Sequence, residues 1–232
     1  MILAGAGGKG DIMRISRQRK KEILAILGHC YAGTATALEY NSPFEFLVAV
    51  ILSAQCTDKR VNIVTGRLFP RYGTPEKMRE LGQERLEPLI RDCGLYHSKA
   101  KNIIAASEIL CRRYKGEVPA DFKELITLPG VGRKSANVVL SQAYGIPALA
   151  VDTHVFRVAN RLGLAPGKTP LAVESGLKRV IPQSDWTNAH HWLIWHGRKI
   201  CRARRPDCPN CPLRNLCPSR TSGENQPDFK NK

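Results

Sequence analysis

The chain has 232 residues, 43% of them hydrophobic and 24% charged, so it can bury a core as one domain or two small ones. Lys and Arg number 36 against 20 Asp and Glu, a formal net charge of +16, which favours a polyanionic partner. Nucleic acid is the leading candidate and an anionic membrane the weaker one, because no long basic amphipathic helix stands apart. No apolar run approaches the roughly 18 residues that span a bilayer, and the N-terminus lacks a secretory pattern. We therefore expect a soluble intracellular protein.

Helix patterns follow one another along the chain, with little strand pattern between them. A basic run at residues 14–21 indicates the polar face of a first helix, and Ser42-Pro43 opens an almost wholly apolar helix that we expect to be buried and central. The predicted fold is all-α. Further helices are predicted after a cap at Asp58, ending near Phe69, after Thr74-Pro75, from Ser98 to about Tyr114, and after Asp121, Gly132, Asp152, Thr169 and Ser184.

A Gly-rich turn, Leu128-Pro129-Gly130-Val131-Gly132, carries the strongest functional pattern. The two glycines let a partner approach the backbone, and the helix that begins directly afterwards points free N–H groups outward. These features predict an anion site that suits a phosphate, although an ordinary helix-to-helix hairpin would use the same glycines. The spacing fits neither a dinucleotide fingerprint nor a P-loop.

Two side chains that follow this turn, Lys134 and Asp152, are candidate catalytic groups. Lys134 falls in the first helical turn, where partial desolvation and the helix dipole disfavour its ammonium form; a neutral amine can attack a sugar carbon and form a Schiff base. A plain phosphate contact is the alternative for Lys134. Asp152 stands where the next helix needs an N-cap, and capping is compatible with catalysis because it fixes the direction of the carboxylate.

The cysteines divide into a scattered set and a clustered set. The scattered set lies in or beside apolar helical segments, where we expect buried thiols or small packing residues: Cys30, Cys56, Cys93 and Cys111. The clustered set has the spacing C-x6-C-x2-C-x5-C, which indicates a metal site in an intracellular chain. With one close pair only, the spacing leaves both zinc and an iron–sulfur cluster open. The candidate ligands are Cys201, Cys208, Cys211 and Cys217.

Positive charge is densest around the clustered cysteines. A metal that made this segment rigid would present its arginines to a DNA backbone, whereas the alternative is a solvated basic surface. The arginines that we expect to contact DNA are Arg202, Arg204 and Arg205. Both ends of the chain, residues 1–12 and 218–232, are predicted to be disordered.

The motifs LPGVGRKSANVVL and AVDTHVFRVANRLG resemble the helix-hairpin-helix, Gly-Pro and Asp signature of the DNA glycosylase superfamily, in the form found in bacterial endonuclease III. The resemblance extends from about Ser42 to Cys217 and includes SPFEFLVAVILSAQCTD, GLYHSKAKNI, KGEVP and the clustered cysteines. It implies an enzyme that excises oxidised pyrimidines from duplex DNA and then cuts the strand at the abasic sugar. The same cysteine spacing holds a [4Fe-4S] cluster in that family, and this favours the cluster over zinc.

The resemblance also assigns roles to individual residues. Lys134 is the nucleophile, and Asp152 is the second catalytic residue, which takes the lysine proton and balances the cationic sugar. Leu95 is an apolar wedge that fills the gap left by the extruded nucleotide, and Gln55 faces the base that has lost its pairing partner. Cys93 stands where relatives commonly have a branched aliphatic residue.

The family form implies two helical subdomains with a DNA-binding cleft between them. We expect a six-helix domain at residues 37–147, and an iron–sulfur domain built from residues 13–36 and 148–217. A monomer in the bacterial cytoplasm, associated with the nucleoid, is expected. Two alternatives remain: a monofunctional adenine or mismatch glycosylase, whose members lack a lysine at the position of Lys134, and a non-catalytic helix-hairpin-helix DNA-binding module with zinc.

Overall fold

The fold is all-α, as predicted: residues 15–220, which the computed structural model describes, form helices and loops without a strand. The predicted disordered leader, residues 1–12, and most of the predicted disordered tail lie outside the described residues. No helix within the described range is long and apolar enough to cross a membrane. The helices are α1 (Arg17–Cys30), α2 (Pro43–Leu52), α3 (Asp58–Tyr72), α4 (Pro75–Leu81), α5 (Gln83–Ile90), α6 (Tyr96–Arg113), α7 (Phe122–Leu125), α8 (Arg133–Ala143), α9 (Thr153–Arg161), α10 (Pro170–Val180) and α11 (Trp186–Lys199).

Local capping explains where most of these helices begin. A hydroxyl or carboxylate at the N-cap accepts a backbone N–H from the first turn, which satisfies one of the donors that a helix start leaves without an intrahelical partner. Proline follows the cap in α2, α4 and α10, where its fixed φ suits the first helical position. The capping residues are Ser16, Ser42, Thr57, Thr74, Asp121, Asp152 and Thr169.

Three predicted helix boundaries were wrong. Thr57 rather than Asp58 caps α3, because the Thr57 Oγ1 accepts the Arg60 N–H at 3.3 Å, and α3 continues past Phe69 with Pro70 in its last turn. A proline there costs one intrahelical hydrogen bond without ending the helix. The helix predicted from Ser98 begins at Tyr96, since Leu95 occupies the cap position in a left-handed conformation. The sequence patterns also missed α5 as a separate helix.

Cα packing divides the described residues into two units. The larger unit comprises Gly33–Ala150 and Gln183–His191, and the smaller one comprises residues 15–32, Val151–Pro182 and residues 192–220. Helix α11 contributes residues to both. Because compact packing alone does not show that a segment folds independently, the predicted domain boundaries stay a prediction.

Helix α2 is the centre of the larger unit, as its apolar sequence predicted. Every residue from Phe44 to Leu52 is at most 8% exposed, including the Glu45 side chain, which accepts the Asn41 N–H at 2.7 Å. α2 packs against α3, α6 and α8, so the helix that follows the Gly-rich turn rests directly on the core. Burial of this kind supplies the main favourable free energy of folding and leaves little freedom for α8 to shift.

In the smaller unit, α1 packs beside the segment that carries the clustered cysteines. Ile23 and Leu27 of α1 and Leu213 of that segment are fully buried. The Arg19 Nε donates to the Leu216 carbonyl at 2.8 Å, which ties the two parts of the chain together across 197 residues of sequence.

The scattered cysteines only partly match the prediction of buried thiols. Cys93 is buried, but Cys56 and Cys111 are half-buried and Cys30 is exposed at the end of α1. Apolar neighbours in the sequence therefore did not guarantee burial, because a helix end turns residues of either kind towards solvent.

Candidate active site and nucleic-acid interface

The Gly-rich turn joins α7 to α8 and forms the predicted hairpin. Its two apolar side chains, Leu128 and Val131, are 2% and 6% exposed, and the Val131 N–H donates to the Leu128 carbonyl at 3.0 Å. The Arg133 guanidinium lies over the Phe122 ring, 4.9 Å from its centroid, and so links the two helices of the hairpin. Since the side chains of Leu128 and Val131 point into the core, these residues can offer a partner only their backbone.

The two glycines of the hairpin have different structural roles. Gly130 has φ +80°, and a Cβ built on it would lie 3.0 Å from the Asn102 Cβ, so both conformation and space favour glycine. Gly132 is the N-cap of α8, has no side chain to bond the first-turn N–H groups, and has nothing within 4 Å of a built Cβ. Both glycines are exposed, which leaves open space in front of a helix start, the arrangement that binds phosphate.

Lys134 is the second residue of α8 and is exposed. The partial desolvation expected from the sequence is therefore not supplied by the protein alone. Lys134 does lie in the first turn of α8, two residues after the Gly132 cap.

Gln55 and Leu95 share an unusual backbone conformation. Their φ angles are +55° and +49°, in the left-handed region that costs a residue with a Cβ about 1–2 kcal/mol. Both side chains are exposed, and Leu95 is 58% exposed although it is a large apolar residue. Strained residues persist where the surrounding structure holds them, and they concentrate at functional sites. An exposed leucine held in this way is suited to insertion between bases.

Asp152 caps α9, which confirms the predicted cap. Its Oδ1 accepts the Val155 N–H at 2.8 Å, and the residue is half-buried. The bond fixes the direction of the carboxylate. Asp152 belongs to the smaller unit, whereas Lys134, Gln55 and Leu95 belong to the larger one.

Helix α9 also holds the start of the cysteine segment, through two arginines that the sequence patterns missed. Arg157 donates to the carbonyls of Cys201 at 3.1 Å and Gly197 at 3.0 Å. Arg161 donates to the carbonyls of Arg202 at 2.7 Å and Ala203 at 3.0 Å. Their spacing of four residues, which places both on one face of α9, was the available indication. Helix α9, which Asp152 caps, is thus hydrogen-bonded directly to the start of the cysteine segment.

The four clustered cysteines are half-buried and influence one another electrostatically. The pKa of the Cys211 thiol is raised to about 11, chiefly by burial; a backbone hydrogen bond from Leu213 lowers it and the other three clustered cysteines raise it. The Arg161 Nη1 lies 3.6 Å from the Cys201 Sγ, and the buried His196 Nε2 lies 3.8 Å from the Cys211 Sγ. No sequence pattern indicated the contact between His196 and Cys211.

These cysteines form an all-sulfur set of possible ligands. In the arrangement that residues 15–220 adopt, no group of three or more His, Cys, Asp or Glu side chains is placed to hold a metal ion. The chemistry of the set nevertheless fits a metal centre, because four thiols of one segment, anchored on α1 and α9, can supply the thiolates that zinc and iron–sulfur clusters require.

The predicted DNA-contacting arginines lie at the surface of this segment. Arg202, Arg204 and Arg205 are exposed, and Arg205 has a left-handed backbone, with φ +48°. They stand between the first two of the four cysteines, so a metal bound there would restrict the backbone that carries them.

Comparisons with known proteins agree with these observations. Residues 48–183 match the family model described as HhH-GPD superfamily base excision DNA repair protein. Endonuclease III of Rickettsia conorii is 59% identical over 182 residues, which cover 78% of this chain and 87% of the relative. Endonuclease III of Escherichia coli K12 is 49% identical over 203 residues, which cover 88% of this chain and 96% of the relative.

Two solved structures are similar over the same extent. A non-covalent endonuclease III–DNA complex superimposes with a TM-score of 0.85 at 47% identity, covering 88% of this chain and 96% of that one. A trapped endonuclease III–DNA covalent intermediate has the same TM-score and identity, covering 88% and 97%. The all-α architecture therefore coincides with that of proteins solved on DNA.

Proposed function

Because the chain belongs to the HhH-GPD superfamily of base excision DNA repair proteins, we propose that it is a bifunctional DNA glycosylase and abasic-site lyase. It removes oxidised pyrimidines from duplex DNA and then cleaves the strand by β-elimination. The observation that carries the proposal is the exposed amine of Lys134, placed in the first turn of α8 directly behind an open, glycine-lined helix start.

DNA binding rests on the hairpin and on the excess of positive charge. Backbone N–H groups of the turn and of the α8 start bind a phosphate, and the net charge of +16 supplies a sequence-independent attraction to the duplex. Arg202, Arg204 and Arg205 contact further phosphates. Because such contacts release counterions, binding weakens steeply as salt concentration rises.

Opening of the duplex is assigned to Leu95 and Gln55. An enzyme that acts on a base must extrude the nucleotide from the stack and compensate the lost stacking and pairing. The exposed Leu95 side chain fills the gap as an apolar wedge, and the Gln55 amide offers hydrogen bonds to the base that has lost its partner.

The chemical step uses the Lys134 amine as the nucleophile. Its nitrogen attacks C1′ of the damaged nucleotide and the base leaves, after which loss of a proton from the nitrogen and ring opening give a Schiff base. The Asp152 carboxylate accepts a proton and balances the positive charge that develops on the sugar. The Schiff base acidifies the 2′ position, and β-elimination of the 3′ phosphate cuts the strand.

The cofactor that we propose is a [4Fe-4S] cluster. Its ligands are the thiolates of Cys201, Cys208, Cys211 and Cys217, which leave no coordination position open for substrate. When bound, the cluster would link the four cysteines of this segment and so reduce the conformational freedom of the arginines between them. We further propose that the protein acts as a monomer in the bacterial cytoplasm, associated with the nucleoid.

Trapping with borohydride tests the function. Borohydride reduces a protein–DNA Schiff base to a stable amine, so wild-type protein and a duplex with one oxidised pyrimidine should give a covalent adduct. Lys134→Gln should give none while still binding the damaged duplex. Lys123→Gln, which removes a charge from the exposed Lys123 of α7, controls for the loss of a positive charge and should trap normally.

Each outcome of the trapping experiment has a definite meaning. A normal adduct with Lys134→Gln would refute the assignment of the nucleophile. If wild-type protein gives no adduct but releases free base, the chain is a monofunctional glycosylase. If it binds duplex and does neither, it is a DNA-binding module.

A further inference from the structure

Lys99 of α6 is a buried lysine that the reaction described above does not use. It is 4% exposed, whereas lysines are almost always at the surface. Moving an ammonium group out of water is costly unless hydrogen bonds replace its hydration. Burial accordingly lowers the pKa of Lys99 from its ordinary value. The hydrogen bonds that compensate the burial of this ammonium group therefore indicate its structural role.

The Lys99 ammonium bonds two separate parts of the larger unit. Its Nζ donates to the Leu52 carbonyl at 2.9 Å and to the Cys93 carbonyl at 2.8 Å. Leu52 is the last residue of α2, and Cys93 is the last residue of the 3-10 helix Arg91–Cys93. One charged group therefore satisfies the carbonyls at two helix ends and cross-links them through charge-assisted hydrogen bonds.

Each of these two carbonyls lies a few residues before one of the two residues proposed to open the duplex, Gln55 and Leu95. Leu52 precedes Gln55 by three residues, and Cys93 precedes Leu95 by two. Both Gln55 and Leu95 have positive φ. The chain after Leu95 is held by the ordinary backbone bond at the start of α6, from the Lys99 N–H to the Leu95 carbonyl at 3.0 Å, whereas the chain before it is held by the Lys99 side chain.

We propose that Lys99 is a positioning residue that fixes the Gln55 and Leu95 loops relative to each other for insertion into duplex DNA. The inference rests on the proposed function, because it takes Gln55 and Leu95 as the groups that enter the gap left in the duplex by the extruded nucleotide. Lys99 itself touches no substrate. Its effect is preorganisation, since two exposed side chains that must enter one gap together need a common rigid support.

A purely structural lysine would predict a different pattern of activity. Loss of stability reduces the amount of folded enzyme and so lowers every activity by the same factor. Loss of loop positioning lowers activity only where a nucleotide must be extruded from a duplex. An abasic site in a single-stranded oligonucleotide is already unstacked, so cleavage there needs Lys134 but no wedge.

The test compares kcat/KM for strand cleavage at an abasic site in a duplex and in a single-stranded oligonucleotide. Lys99→Met keeps an unbranched apolar stem, which ends one atom short of the Nζ position, and removes the donors. We expect a loss of about 100-fold on the duplex, the usual cost of misplacing interacting groups by about 1 Å, and less than about threefold on the single strand. Lys101→Met, at an exposed position of the same helix, is the matched control and should change neither value.

Fluorescence gives a second readout that does not depend on chemistry. A 2-aminopurine placed opposite an uncleavable abasic analogue brightens when the protein unstacks it. Wild-type protein and the Lys101→Met control should brighten it, and Lys99→Met at saturating protein should not. Lys99→Arg, which keeps the charge and several donors, should recover most of the signal.

The proposal would be overturned if Lys99→Met left the ratio of kcat/KM on the duplex to kcat/KM on the single strand unchanged, whether both values fell equally or neither fell. If Lys99→Met does not fold, Lys99→Gln replaces it; its neutral amide is one bond shorter and should lower the duplex-to-single-strand ratio in the same direction. The proposed function fails separately, because in that case wild-type protein would cleave neither substrate.

Discussion

The two roles of Asp152, cap and catalytic carboxylate, can be separated by substitution. The structure shows that Oδ1 alone makes the cap bond, to the Val155 N–H at 2.8 Å. In the Asp152→Asn variant the amide oxygen could accept the same bond, because asparagine and aspartate are about equally good N-caps. Asp152→Asn therefore removes the charge and retains the cap, whereas Asp152→Ala removes both.

The expected magnitudes of the two effects differ widely. Losing the cap bond costs about 1 kcal/mol of folding free energy, within a range of about 0.5–2 kcal/mol. For a chain of this size that is a fall in Tm of about 2–4 °C. Losing only the charge near the positive end of α9 costs about 0.3–1 kcal/mol. Losing a general base, by contrast, slows the chemical step by about 10²–10⁴-fold.

Single-turnover release of the oxidised base and thermal unfolding, measured on the same preparations, check this reasoning. Asp152→Asn should unfold close to the wild-type temperature, bind damaged duplex normally and release base at least about 100-fold more slowly. Asp152→Ala should be equally slow and measurably less stable. Base release by folded Asp152→Asn at the wild-type rate would refute the catalytic role and leave Asp152 as a cap only.

The hairpin and the cysteines give two further predictions. Gly130→Ala should destabilise by about 1–2 kcal/mol from its positive φ, plus a contribution from the Asn102 contact, and should weaken duplex binding. Gly145→Ala, with φ +64° and open space around it, should show the strain alone in a chemical denaturation series. Cys208→Ser should abolish broad visible absorption and lower bound iron and sulfide, while Cys111→Ser should leave both intact; bound zinc in the wild type would contradict the cluster.

Much of this protein follows from local sequence, for reasons that act within a few residues. Ser42-Pro43 and Asp152 begin their helices because a cap needs only an oxygen and a nearby N–H. The apolar run of α2 predicted its burial correctly. The glycines of the hairpin identified the candidate phosphate site before any contact was known, since positive φ and an open helix start are properties of the backbone itself.

The tertiary structure decided which side chains are exposed and which distant groups meet. Only the family resemblance, and no local pattern of residues, distinguished Leu95 from a core leucine. No pattern near Lys99 predicted a buried ammonium that bonds carbonyls 47 and 6 residues away. The bonds from Arg157 and Arg161 to the cysteine segment are likewise long-range. Such contacts depend on how helices pack, and packing is determined by the fit of whole surfaces rather than by any short pattern of residues.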